Sequence, residues 1–193
     1  VIKGYQFAAK TLPAKFVGGD FFDFISLNEN SLGMVLGDVS GKGVSAALYM
    51  AKLMSDFRYV SFIHSDPGDV ISQINYILAN RARKGMFATA VFLILDIQNK
   101  KLNLCNAGHH SLIILRNKNQ FHEVGKAGGI PLGINKDAPY TKEEVVLQSG
   151  DIVVLYSDGA LEQVSKHNEQ YGIDRMQTSL FQSLNYAPDC RTT

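Results

Sequence analysis

The stretch Leu32-Gly33-Met34-Val35-Leu36-Gly37-Asp38-Val39-Ser40-Gly41-Lys42-Gly43-Val44 joins an apolar segment to a long periodic one through a glycine-rich turn. The composition of Leu32–Val39 is typical of a β-strand. From Val44 to about His64 the apolar residues recur at helical spacing and form one face: Ala46, Ala47, Met50, Ala51, Leu53, Met54 and Phe57. These patterns predict a strand that ends in an aspartate and leads into a long helix.

Further elements are predicted on both sides of this unit. Upstream, Tyr5–Ala9 and Phe21–Leu27 are predicted strands, and Asn28-Glu29-Asn30 is a hairpin signal. Downstream, Pro67 begins a second helix that reaches about Arg81. Three strand-like runs, predicted to form a meander, are Phe87–Ile97, Leu102–Asn106 and Ser111–Leu115. The last predicted elements are strands at Glu144–Leu147 and Ile152–Tyr156 and a helix at Asp174–Leu184.

The order of these elements predicts an α+β fold. Antiparallel strands are grouped on either side of a helical hairpin, and they do not alternate with helices as in parallel α/β proteins. The nearly continuous apolar run Ala90–Leu95 suits a strand buried on both faces. We therefore expect a layered sandwich of helices and antiparallel sheets. At 193 residues and 46% hydrophobic content, residues 1–193 are predicted to form a single domain.

Composition excludes several classes of partner. The chain has 19 basic and 18 acidic residues, a formal net charge of +1, so charge gives no support for binding nucleic acid or an anionic membrane. It has neither an apolar stretch of membrane-spanning length nor a signal peptide pattern. Two cysteines, Cys105 and Cys190, imply no disulfide framework and suit a reducing compartment, so a cytoplasmic location is predicted. Because the chain begins at Val1, we expect it to be cut from a longer protein whose sensor or membrane region lies outside it.

Three aspartates are candidates for chemistry because each lies where a predicted strand ends in a glycine-containing turn. They are Asp20 in Gly18-Gly19-Asp20-Phe21-Phe22-Asp23, Asp38 in Gly37-Asp38-Val39, and Asp158 in Tyr156-Ser157-Asp158-Gly159. Hard cations such as Mg²⁺ and Mn²⁺ prefer carboxylate and carbonyl oxygens, and glycine lets the backbone approach an ion closely. A shared metal site is the functional interpretation.

Simpler interpretations exist for each motif. Asp-Gly and Gly-Asp are common turn formers, and any one of the three alone would be interpreted as a turn. Asp38 lies between an apolar strand and a second glycine pair. A simple hairpin turn would not need this context, so a functional role is favoured for Asp38. A Walker A phosphate loop is excluded because Leu36 stands where the first glycine should be. A cysteine phosphatase loop is excluded because Ser111 stands where arginine should follow Cys105.

Five motifs together resemble the stage II sporulation protein E type of the PPM phosphatases. They are Gly18–Asp23, Gly37-Asp38-Val39-Ser40-Gly41-Lys42-Gly43-Val44-Ser45-Ala46-Ala47, Asn106-Ala107-Gly108-His109, Pro131-Leu132-Gly133 and Tyr156-Ser157-Asp158-Gly159. Their order and spacing match, and the resemblance extends from about Tyr5 to Arg175. It is far more specific than any single motif.

The resemblance implies a fold, a metal centre and an activity. The fold is an α-β-β-α sandwich of two antiparallel sheets flanked by helices. Asp38 would bridge two Mn²⁺ or Mg²⁺ ions, the carbonyl of Val39 would bind one, and Asp20 and Asp158 would complete the catalytic cluster. A metal-activated water would then hydrolyse phosphoserine or phosphothreonine on a protein. The implied partner is a phosphorylated STAS-domain anti-anti-sigma factor or a similar phosphoprotein.

The sequence also departs from the family's pattern. Those phosphatases carry an Asp-Asp pair beyond the Ser-Asp-Gly motif, and one of these aspartates binds metal. Here only Asp189, in Pro188-Asp189-Cys190, is faintly similar, so Asp189 is not counted as a ligand. We therefore expect truncation at the C-terminus and an incomplete second metal site. A catalytically weak or inactive phosphatase-like binding module is the alternative function.

Several other residues keep two interpretations. His109 and His110 are attractive as acids or ligands, but a role in the turn after Asn106 is favoured. Thr89 either lies near the predicted cluster or, as is usual for a strand threonine, has only a structural role. Asp23 is either a support for the site or a solvated turn group. Gly18–Phe22 is similar to the Gly-Gly-Asp-Glu-Phe signature of diguanylate cyclases, but Phe21 replaces the acidic residue. The helix from Val44 could provide a homodimer surface, although core packing explains its apolar face equally well.

Overall fold

The computed structural model describes residues 2–12, 18–81, 85–117, 119–126 and 128–186. The strands are β1 (Phe21–Asn28), β2 (Ser31–Val39), β3 (Ala88–Asp96), β4 (Lys101–Ala107), β5 (Leu112–Arg116), β6 (Gln120–Val124), β7 (Lys142–Val146) and β8 (Ile152–Val154). The helices are α1 (Val44–Ile63), α2 (Pro67–Arg81), α3 (Asp158–Leu161) and α4 (Gly172–Tyr186). Within the described part of the chain, no helix is both long and apolar enough to cross a membrane.

The strands form two antiparallel sheets. The larger sheet has the order β1-β2-β3-β4-β7, and the smaller has the order β6-β5-β8. In the larger sheet the register pairs Phe21 with Gly37 and Asp38 with Thr89. Directly paired residues project from the same face of a sheet. The register therefore puts Asp38 and Thr89 side by side at one end of β2 and β3.

Three apolar layers hold the elements together. Helices α1 and α2 cover one face of the larger sheet, where Phe57 stacks on Phe92 with ring centroids 5.7 Å apart. Leu93 and Ile114 belong to a second buried cluster between the two sheets. Met176 of α4 packs with residues of the smaller sheet in a third cluster. The α-β-β-α sandwich and the α+β class are confirmed.

The segment Tyr5–Ala9 is not a strand, so that prediction was wrong. Its aromatic residues are partly buried through side-chain contacts instead: Tyr5 stacks on Phe7 at 6.3 Å, and Phe7 meets Phe24 edge-on at 5.7 Å. The Tyr5 hydroxyl donates to the carbonyl oxygen of Ile97 at 3.5 Å. Aromatic content here indicates burial of side chains and not pairing of the backbone.

The predicted meander of three strands was also wrong. Strands β3 and β4 pair, but β5 belongs to the other sheet and pairs with β6 and β8. The chain passes from one sheet to the other at Gly108, which adopts a φ of 69° that favours glycine. Strand β6 and the one-turn helix α3 were not predicted, because β6 is short and mostly exposed and α3 is too short to show periodicity.

Helix α1 has one buried and one exposed apolar face. Leu53 and Phe57 are fully buried against the larger sheet. Leu48, Tyr59 and Phe62 are each more than 60% exposed. Core packing accounts for the inner face alone, and the homodimer considered from the sequence stays a prediction.

Candidate metal centre

The three predicted aspartates converge at one end of the sandwich. Asp20 immediately precedes β1, Asp38 is the penultimate residue of β2, and Asp158 begins α3. One carboxylate oxygen from each lies within 4.8 Å of the others. Asp20 and Asp38 are partly buried and Asp158 is exposed. The cluster thus opens to solvent on the side of Asp158, which begins a one-turn helix instead of ending a strand as predicted.

Gly19 brings the turn before β1 against the end of β2. Its carbonyl oxygen accepts a hydrogen bond from the backbone N–H of Val39 at 3.3 Å. A Cβ on Gly19 would lie 2.4 Å from the carbonyl oxygen of Val39 and 2.6 Å from Oδ1 of Asp38. Any side chain at Gly19 would therefore displace two of the predicted ligand oxygens. This contact also shows that the Val39 carbonyl lies beside the Asp38 carboxylate.

Burial and charge repulsion in the cluster disfavour the simultaneous ionisation of all three carboxylates when no cation is bound. Burial, followed by the charges of Asp20 and then Asp158, raises the pKa of Asp38 to about 6. Burial and the charge of Asp158 also raise the pKa of Asp20, although the Ser157 hydroxyl opposes this by donating to Oδ2 of Asp20 at 3.4 Å. Like charges in a partly desolvated site favour protonation unless a cation is present.

The donor set fits hard divalent cations. Carboxylate and backbone carbonyl oxygens are the ligands that Mg²⁺ and Mn²⁺ prefer, and the spacing of the three carboxylates allows them to share ions. The close approach at Gly19 aims the Val39 carbonyl at the same region. Asp20, Asp38, Asp158 and the Val39 carbonyl are therefore the groups that would hold metal. Asp189 lies outside the described residues.

Thr89 and His109 lie next to this cluster. Oγ1 of Thr89 is 2.8 Å from Nδ1 of His109, and Thr89 is paired directly with Asp38 in the sheet. Burial, followed by His110, lowers the pKa of His109 to about 4. The ring is therefore neutral near pH 7, which argues against His109 as a proton donor there. His110 is exposed and stacks on Tyr156 at 5.6 Å.

Two other residues considered from the sequence lie outside the cluster. Asp23 is buried beneath α1, where its carboxylate accepts from Nε of Arg58 at 2.5 Å and from Nη2 at 2.9 Å. Asp23 therefore supports the packing of β1 and is not a solvated turn group. Cys105 is buried in β4, and burial raises the pKa of its thiol to about 12. A thiolate at this position is excluded near neutral pH.

Sequence reasoning missed two residues that shape the site. Ser157 donates a hydrogen bond to Asp20, a role that was not predicted for it. Asn106 organises the turn that presents His109, since its amide donates to the His109 carbonyl at 3.0 Å and accepts from the His109 N–H at 2.8 Å. A polar residue at the end of a buried strand, just before a glycine turn, is the signal that could have identified Asn106.

Solved structures with this architecture define the class. The chain matches the PP2C phosphatase domain of SpoIIE from Bacillus subtilis with a TM-score of 0.72 and 22% identity, covering 86% of this chain and 47% of that one. It matches the SiaA-PP2C domain of Pseudomonas aeruginosa with a TM-score of 0.75 and 20% identity, covering 86% and 66%. RsbX, solved in complex with magnesium, matches with a TM-score of 0.61 and 18% identity, covering 86% and 80%. The fold is that of the PP2C-type, or PPM, phosphatases.

Comparison of the amino-acid sequence with family models identifies one family within the PPM phosphatases. The chain belongs to the stage II sporulation protein E (SpoIIE) family, whose model matches residues 28–190. The resemblance drawn from the five motifs is confirmed.

Curated relatives match most of this chain. The phosphoserine phosphatase RsbU of Bacillus subtilis is 31% identical over 157 residues, which cover 80% of this chain and 46% of RsbU. Protein IcfG of a Synechocystis strain is 29% identical over 207 residues, covering 93% of this chain and 32% of IcfG. The chain thus spans about a third of the length of IcfG and less than half of the length of RsbU.

Proposed function

We propose that this chain is the catalytic domain of a metal-dependent protein phosphatase that hydrolyses phosphoserine or phosphothreonine. The observation that carries the proposal is the convergence of three carboxylate oxygens within 4.8 Å of one another in a SpoIIE-family fold. Two Mn²⁺ or Mg²⁺ ions held by Asp20, Asp38, Asp158 and the Val39 carbonyl would lower the pKa of a bound water and neutralise the phosphate oxygens.

The chain's own residues prepare this site for a charged substrate. Burial raises the pKa of both Asp38 and Asp20, as do the charges of Asp20 and Asp158 for Asp38 and of Asp158 for Asp20, so a bound cation would relieve the repulsion among the ionised carboxylates. Ser157 orients Asp20 by its hydrogen bond. Cys105 is buried and its thiol pKa is raised, so it is not available as a nucleophile. The phosphate is therefore attacked directly by water, without a cysteinyl phosphoenzyme.

The shape of the site favours a macromolecular substrate. Asp158 is exposed at the edge of the sandwich, where a phosphorylated side chain on another protein can reach it. Two small cavities of about 70 and 140 Å³ lie elsewhere, one between α1 and α2 and one beside the end of α1. Neither is lined by the cluster aspartates, whereas small-molecule sites are usually enclosed pockets.

The proposed substrate is a phosphorylated STAS-domain anti-anti-sigma factor or a similar regulatory phosphoprotein. Support comes from membership of the SpoIIE family and from the relative named phosphoserine phosphatase RsbU. A cytoplasmic location is part of the proposal, because the buried free thiol of Cys105 suits a reducing compartment.

Phosphate release from phosphorylated STAS-domain proteins tests this function directly. We expect turnover with Mn²⁺ or Mg²⁺, none with EDTA, and a loss of roughly 100-fold or more in Asp38→Asn, which removes the central charge. Asp137→Asn, an exposed aspartate away from the cluster, is the matched control and should keep wild-type turnover. Binding of the phosphoprotein without metal-dependent turnover would instead favour the alternative of a phosphatase-like binding module.

A further inference from the structure

The turn between β4 and β5 holds the backbone of His109 firmly. The buried Asn106 amide donates to the carbonyl oxygens of His109 at 3.0 Å and Gly125 at 2.8 Å, and its oxygen accepts from the His109 N–H at 2.8 Å. A Cβ on Gly108 would lie 2.7 Å from the ring of Pro131, so the turn is also packed from the other side. The position from which the imidazole projects is therefore fixed.

One side of the imidazole contacts the strand next to Asp38. Nδ1 of His109 lies 2.8 Å from the hydroxyl of Thr89, which is the direct cross-strand partner of Asp38. Side chains in such pairs project from the same face with Cβ atoms about 5 Å apart. His109 thus restrains the side chain beside the central carboxylate of the cluster.

The same ring is close to the segment that carries Asp158. The charge of Asp158 and the backbone of Tyr156 both act to raise the pKa of His109, against the larger effect of burial. The neighbouring His110 stacks on the ring of Tyr156 at 5.6 Å. Nε2 of His109 is buried and has no well-aligned hydrogen-bond partner among the described residues, although the backbone of Tyr156 is near enough to affect the pKa of the ring.

We propose that His109 is a positioning residue that sets the spacing between Asp38 and Asp158, because it bonds Thr89 of β3 and lies beside the Tyr156–Asp158 segment that follows β8. This inference rests on the metal-dependent activity proposed above and concerns how its ligands are held in place. Side chains that orient metal ligands without touching the metal commonly change metal affinity by 10- to 100-fold.

Mn²⁺ titration, followed by the electron paramagnetic resonance signal of the free ion, tests the proposal with six variants. We expect His109→Ala and Thr89→Val to weaken Mn²⁺ binding about 10- to 100-fold. Thr89→Ser retains the hydroxyl and His109→Asn places an amide near the Nδ1 position, so both should stay within about threefold of wild type. The double variant of Thr89→Val and His109→Ala should be no weaker than His109→Ala alone. His167→Ala, at an exposed histidine, is the control and should not change the affinity.

The outcomes separate this inference from the proposed function. Wild-type Mn²⁺ affinity in both His109→Ala and Thr89→Val would overturn the inference alone. Equal losses in Thr89→Val and Thr89→Ser would also overturn it, because the hydroxyl would then not matter. A wild-type protein that binds no Mn²⁺ would overturn the proposed function and the inference with it. If His109→Ala does not fold, Thr89→Val decides the test. For a positioning role, we expect the melting temperature of Thr89→Val in EDTA to equal that of the wild type.

Discussion

Asp23 of β1 and Arg58 of α1 are joined by two contacts, from Nε at 2.5 Å and from Nη2 at 2.9 Å. Asp23 is only 9% exposed, whereas the Arg58 side chain is 60% exposed. The pair connects the long helix to the strand that directly follows Asp20. It therefore holds the turn that carries Asp20 against the helical layer.

Removal of either partner should destabilise the metal-free fold. Asp23→Ala should cost about 2 kcal/mol, because it removes a buried hydrogen-bonded group and leaves space behind. Arg58→Ala should act in the same direction, since it leaves a buried carboxylate without its cation. Urea unfolding in EDTA measures both. Lys52→Ala, which breaks an exposed pair with Asp56 on the same helix, should change stability by less than about 0.5 kcal/mol. Equal effects at Lys52 and Arg58 would contradict the interpretation.

Asp151 should make the fold sensitive to acid. Burial alone would raise its pKa, but hydrogen bonds from Arg116 at 2.6 Å and from the Gln148 N–H at 2.8 Å lower it below 3.8. A depressed folded-state pKa adds stability above the unfolded value, and that stability is lost as the pH falls through the folded pKa. Asp151→Asn should therefore cost about 2 kcal/mol at pH 7 and progressively less below about pH 4. Urea unfolding at pH 7, 4 and 3 measures this, and a constant difference would count against it.

Local sequence patterns predicted the elements that local physics determines. The helical spacing of residues such as Leu53 and Phe57 predicted α1, and the nearly continuous apolar run Ala90–Leu95 predicted β3. The sheet to which β5 belongs depends on a contact distant in sequence, since Gly108 bridges to Ala90 and turns the chain into the other layer. Periodicity carries no information about such a contact.

Only the part of the candidate site that depends on local sequence could be predicted. Aspartates at strand ends next to glycine, such as Asp38, are visible in the sequence because the turn chemistry is local. The contacts of Ser157 with Asp20 and of His109 with Thr89 arise only when the two sheets pack. Asp23 was left between two roles because only the structure shows that α1 places Arg58 over it.

Gly19 and the adjacent Gly18 form a matched pair for testing the geometry of the centre. Gly19→Ala would force a Cβ to within 2.4 Å of the Val39 carbonyl oxygen, so we expect Mn²⁺ affinity to fall at least about tenfold. Gly18→Ala meets nothing closer than 3.9 Å and should bind Mn²⁺ within about threefold of wild type. Titration of both variants with Mn²⁺ makes the comparison. Equal losses would indicate general backbone flexibility and not the close approach at Gly19.

The raised pKa of Asp38, caused first by burial and then by the charges of Asp20 and Asp158, predicts opposite effects of pH on the stability of the metal-free and the metal-bound protein. The folded-state pKa of about 6 lies above the ordinary 3.8, so the metal-free fold binds more protons than the unfolded chain and loses stability as the pH rises from about 4 to 6. Asp38→Asn removes this ionisation. Without metal, the free energy of unfolding of this variant should exceed that of the wild type by about 1 kcal/mol at pH 7. Mn²⁺ must bind the ionised carboxylate, so its stabilisation of the wild type should grow from pH 5 to 7 and be absent in Asp38→Asn. Thermal unfolding with EDTA and with Mn²⁺ at pH 5, 6 and 7 measures both effects. A metal-free difference between the two proteins that stays constant with pH would refute a raised pKa at Asp38.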